Sequence, residues 1–101
     1  MSTERVVAKR AGEVAIPLSV DWADVLASGE TIDGTPAWTV VDAAATDSSP
    51  LAVAGSDSLS STTASNSFSA GTKGQVYRAR CTMVTSGGAT HVRDWSVRII
   101  A

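Results

Sequence analysis

The sequence predicts an all-β fold: an antiparallel sandwich of about seven short strands with one short helical turn near residues 22–28. Three observations predict it. Apolar residues alternate with polar ones in short runs, as strands with one buried face require. Glycine and proline interrupt those runs at short intervals. Only Ser19–Ile32, SVDWADVLASGETI, spaces its apolar residues as a helix does, at Trp22, Val25 and Leu26. The length of 101 residues suits one domain with one core, and 44% hydrophobic against 18% charged residues excludes a disordered chain.

The elements follow in order. RVVAK gives an edge segment inside a charged stretch, Met1–Gly12, expected to be a flexible or docking arm with Val6 and Val7 as apolar anchors. A single domain is expected over 13–101. EVAIPLSV puts Val14, Ile16, Leu18 and Val20 on one face, and Pro17 restricts it to an edge or a bulge. In the odd stretch Asp21 is the expected N-cap, Asp24 favours the positive end of the turn, and Gly29 marks the stop. Its apolar side is expected to plug one end of the sandwich. PAWTVVD is a strand around Trp38, Val40 and Val41 with Pro36 at its entrance, and LAVAG is another after the turn cluster TDSSP. The serine- and threonine-rich Ser56–Ser69 reads as a polar two-strand edge or as a strand plus a loop, with Leu59 and Phe68 inward. GQVYRARCTMVTSGG followed by HVRDWSVRII is a hairpin. Tyr77, Ala79, Cys81, Met83, Trp95, Val97 and Ile99 face in; Arg78, Arg80, Thr82, Asp94, Ser96 and Arg98 face out. The expected structural core is Trp22, Leu26, Trp38, Tyr77, Cys81 and Trp95.

The chemistry is sparse. Net charge is −2 with no basic run beyond Lys9–Arg10, which argues against nucleic acid as a partner. No stretch of 18 apolar residues exists to span a membrane, and the charged amino terminus lacks the apolar region of a secretory signal, so synthesis in a cytosol is expected. The lone Cys81 cannot form an internal disulfide and sits at an inward position, where a thiol behaves as a small hydrophobe. The lone His91 has no companions for a triad or a metal site. The acidic pairs Asp21/Asp24 and Asp42/Asp47 suit capping and turns better than a catalytic dyad or calcium. GTKGQ lacks the strand–loop–helix setting of a phosphate loop. No catalytic, cofactor-binding or metal residues are therefore assigned, and no cofactor is expected. Arg78, Arg80 and Arg98 share the outward parity and form, with Val6 and Val7, the candidate partner-binding set.

Two resemblances follow from these motifs. Trp38 on a central strand and Tyr77 after GTKGQV resemble the core tryptophan and corner tyrosine of immunoglobulin-like sandwiches. The tyrosine-to-cysteine spacing of four and the missing partner cysteine exclude antibody domains proper. DWADVLASGETI, then AWTV, then FSAGTKGQVYRARCTMVTSGGATHVRDWSVRII resembles a group of small tailed-bacteriophage structural proteins with a D-W-x-D-x-L-x-x-G-D-x-I pattern. The likeness covers roughly 14–100 and rests on Asp21, Trp22, Asp24, Leu26, Gly29, Ile32, Trp38, Gly74 and Tyr77. Glu30 stands where aspartate is usual, and the serine/threonine-rich middle is longer. The resemblance implies a non-enzymatic virion protein made in the host bacterial cytoplasm. A capsid decoration (cement) protein is expected, present in multiple copies or as a homo-oligomer and bound to the major capsid protein or other virion proteins. A head–tail connector, a tail accessory protein, or a host-surface or carbohydrate-binding module on the virion is the alternative.

Overall fold

The computed structural model describes residues 5–10, 12–41 and 49–100. Eight strands run β1 (Arg5–Arg10), β2 (Ile16–Asp21), β3 (Ile32–Val41), β4 (Ala52–Val53), β5 (Ser58–Ser60), β6 (Thr63–Ser69), β7 (Val76–Thr85) and β8 (Thr90–Ile100). A single 3-10 turn, Ala23–Val25, separates β2 from β3. The front sheet has the order β1-β8-β7-β3; the back sheet has β2-β6-β4, with β5 also on β6. Central strands of one sheet thus face a β2-β6 pair in the other, as in an immunoglobulin-like sandwich.

The longest pairing is the β7–β8 hairpin, in register from Val76↔Arg98 to Val84↔Thr90. Its alternation sends Tyr77, Ala79, Cys81, Met83, Val97 and Ile99 into the core, where each is at most 2% exposed. Leu18, Val20, Ala64 and Phe68 meet them from the back sheet. Trp38 packs edge-on against Phe68, with ring centroids 5.6 Å apart at 69°, a geometry aromatic quadrupoles favour. A part-buried polar bridge also joins the sheets. Asn66 of β6 donates to Asp57 Oδ1 (2.7 Å), which also accepts the Trp38 backbone N–H (3.2 Å).

The corner before β7 is fixed by Tyr77, whose hydroxyl accepts the Thr72 backbone N–H at 3.0 Å. Just upstream, Gly71 has φ +105 and lies against Ile99; a Cβ there would stand 2.7 Å from Ile99 Cδ1. Gly71→Ala combines a left-handed strain with a core clash, so it is expected to cost about 2–4 kcal/mol. A fall in the denaturation midpoint at unchanged slope is the measurement.

Several expectations give way. The pairing is not antiparallel throughout: β1 runs parallel to β8, from Arg5↔Trp95 to Arg10↔Ile100. It does so because the chain crosses to the other sheet after Arg10, so β1 and β2 cannot form a hairpin. The edge segment expected at RVVAK is present, since residues 5–10 form an edge strand of the front sheet; residues 1–4 and 11 of the stretch read as an arm lie outside the described residues. Val14 is 73% exposed and precedes β2, because Ala15 at φ 56 breaks the extended run that would have turned it inward. Pro36 sits inside β3 at a register shift between Asp33 and Ala37, not at a strand entrance. The polar segment forms the β5–β6 hairpin, Ser58↔Ser65 to Ser60↔Thr63, with Phe68 buried and Leu59 packed against the core.

Candidate interaction face

The uncovered outer side of the front sheet gathers most of the outward-facing candidate residues. Register puts Val6, Ser96, Arg78 and Val41 in one row across all four strands. The flanking rows are Ala8, Arg98 and Val76 on one side, and Asp94, Arg80 and Thr39 on the other. Val6 (65% exposed), Val76, Val84, Val92 and Ile100 all remain open on this side. Single exposed valines are ordinary, but several on one sheet face are the pattern of an interaction surface. Val7 points the other way and packs against the core, so it does not belong to this face.

Charge on this face is partly compensated. Asp94 takes a two-point hydrogen bond from Arg80, Nε to Oδ1 at 3.0 Å and Nη2 to Oδ2 at 3.2 Å. Arg78 Nε lies 3.7 Å from the same carboxylate. Four arginines (Arg10, Arg78, Arg80 and Arg98) against Asp33 and Asp94 leave the described part of the face basic, and the two-point fork holds Arg80 against Asp94. The exposed valines escape sequence reasoning although their parity was legible, because an outward valine in a strand reads as β propensity alone.

The SVDWADVLASGETI stretch is a clamp across one end of the sandwich. Trp22, fully buried, is itself the N-cap residue of the turn and offers no side-chain cap. Asp21, the expected cap, acts one residue earlier: its Oδ1 accepts the Ala23 N–H (3.0 Å) and the Thr62 hydroxyl (2.7 Å). Asp24 serves no helix dipole in so short a turn; it pairs with Arg93 Nη2 at 3.1 Å. The Arg93 guanidinium also lies 5.4 Å from the centroid of the Trp22 ring, within cation–π range. Gly29 supplies φ +79, and Glu30 closes the loop reciprocally with Ala27, Oε1 accepting its N–H at 3.0 Å and its own N–H donating back at 2.9 Å. Thr31 and Ser86 exchange two further bonds with the β7–β8 turn. Arg93 was missed as a partner because its contact is 69 residues away in sequence.

The Thr62 hydroxyl and then the Ala23 N–H hold Asp21 below the usual carboxylate pKa; the Ala27 N–H and then Thr85 do the same for Glu30. Because the folded values are depressed, these contributions are complete at neutral pH. They are lost as the pH falls below about 4 and through the folded values.

Among the expected core residues, Trp22, Trp38, Tyr77 and Cys81 are buried, while Leu26 and Trp95 are partly buried at its margin. The Trp95 indole N–H donates to the Ser19 carbonyl at 3.0 Å. Burial pushes the Cys81 thiol up to about 11. The native protein is expected to react with a thiol reagent at pH 8 at least about 100-fold more slowly than the unfolded chain, because the thiolate is both scarce and enclosed. A labelling time course with and without denaturant checks this. His91 is half-buried on the last strand. Asp42 and Asp47 lie outside the described residues.

Residues 9–98 match the family model Gp77, described as podophage GP4 fiber-tail adaptor protein gp77. No curated protein matches the chain. The matched span begins within β1 and ends within β8; it contains the clamp and most of the outer face of the front sheet, but not Val6, Ala8 or Ile100. The chain belongs to the Gp77 family of podophage fiber-tail adaptor proteins, and with it to the structural proteins of the phage virion.

Proposed function

We propose that the protein is a tail adaptor of a podophage particle, a non-enzymatic link between the tail and a fibre, and that it docks through the outer face of the front sheet. The observation that carries this is the family match over residues 9–98. The tail reading, initially the alternative, takes the place of capsid decoration, and a tail or fibre protein takes the place of the major capsid protein as partner. Val6, Arg78, Arg80 and Arg98 are the side chains that would meet the partner, joined by Val76, Val84, Val92 and Ile100.

The size of the face suits this. Four strands about 4.8 Å apart and up to about 30 Å long present roughly 600 Å², close to the ~800 Å² per partner of a stable interface. Repetition around a symmetric tail would add avidity without new contacts. The test is to count the protein in purified particles and locate it by immunogold labelling. The expected result is a small, symmetry-set number, about six or twelve copies, at the tail. Hundreds of copies spread over the capsid would overturn the adaptor reading.

A further inference from the structure

Single backbone groups on the free edges of β3 and β2 are taken by side chains. On the outer edge of β3, the Trp38 N–H is held by Asp57. On β2, the Ser19 carbonyl is taken by the Trp95 indole. The far side of the back sheet ends in β4 and β5, only two and three residues long, and short edges resist strand addition. β1 differs. At its end Arg10 turns both backbone groups away from β8: Glu13 Oε1 accepts its N–H at 2.7 Å, and the Glu13 N–H donates to its carbonyl at 3.0 Å. In a parallel ladder alternate residues turn the same way. Val6 and Ala8 therefore present two N–H donors and two C=O acceptors outward, with no partner among the described residues.

We infer that this edge, at Val6 and Ala8, receives an extended, carboxylate-bearing segment of a tail or fibre protein as an added strand of the front sheet. Glu13 already shows the chemistry on a small scale, because its carboxylate and amide occupy at Arg10 the places that a neighbouring strand would fill. It also ends the available edge, which limits the register of the incoming strand. The outer face supplies the preference for acid. Arg10 and Arg98 are exposed beside Ala8, and Arg78 lies in the row of Val6. Val6 offers an apolar contact to the alternate side chains of such a segment. Main-chain bonds then give affinity and the side chains give specificity.

This rests on the tail-adaptor reading, and the experiment separates the two. The protein is added to tail particles purified from a phage that lacks it, and amide hydrogen exchange is followed free and bound. The expected result is that the Val6 and Ala8 amides slow by about 100-fold or more on binding. Ala8→Pro removes an outward donor and leaves the β8 ladder intact, since proline is tolerated where the N–H faces solvent. It is expected to weaken binding at least about tenfold. If that variant melts early, the exchange data on the unaltered protein decide. Binding without protection at Val6 and Ala8 overturns the strand-addition inference alone. Protection that is present in the free protein and vanishes on dilution means that a second copy fills the edge, and also overturns it. A failure of the unaltered protein to bind tail particles refutes the adaptor reading and this inference with it.

Discussion

Trp22→Ala is expected to lower the stability of the domain by about 3–5 kcal/mol, the range for emptying a fully buried aromatic site. For a domain whose total stability is about 5–15 kcal/mol, that is between about a fifth and all of it. Trp22 is 0% exposed and lies beneath Arg93, with its backbone N–H tied to the Thr62 carbonyl at 2.9 Å. Its loss opens a cavity at the end of the sandwich and removes the aromatic surface on which Arg93 rests. The neighbouring ion pair behaves differently. Asp24 is 66% exposed at its side chain, so Asp24→Ala should cost under about 1 kcal/mol. Urea denaturation of the two single variants separates the contributions. Comparable losses would mean that the ion pair and not the indole holds the clamp.

Val92→Glu together with Arg98→Glu is expected to reduce binding to tail particles by about 100-fold or more while shifting the melting temperature by only a few degrees. Val92 is 50% exposed and Arg98 is exposed, so neither change disturbs the core. A carboxylate buried against a partner without a counter-charge costs about 2–5 kcal/mol, which is a loss of 30-fold to several thousandfold. Ser19→Glu, on the exposed outer side of β2, is the matched control and should bind normally. If the control fails to bind and the double variant binds, the docking face is on the back sheet.

How far the sequence speaks differs from element to element. The β7–β8 hairpin was legible because a two-residue alternation is local: once Tyr77 is placed inside, Ala79, Cys81 and Met83 follow, and the outward parity of Arg78, Arg80 and Arg98 is fixed with them. The corner tyrosine, the strand through Trp38 and the positive-φ glycine after the turn were legible for the same local reason, as was the phage-protein signature. Sheet membership was not. That β1 lies parallel to β8 depends on where the chain crosses between sheets, and Ala15 at φ 56 marks no residue type that announces it. Nor did spacing show that Asp24 meets Arg93, that Asp57 bridges Asn66 and Trp38, or that Val7 faces the core while Val6 faces out beside Arg78. These are contacts between segments distant in sequence, set by long-range register and the closing of two sheets on one core. The sequence by itself determined which residues of the β7–β8 hairpin share a face; only the tertiary structure decided which faces and edges were left exposed, because covering is a property of neighbours and not of the strand.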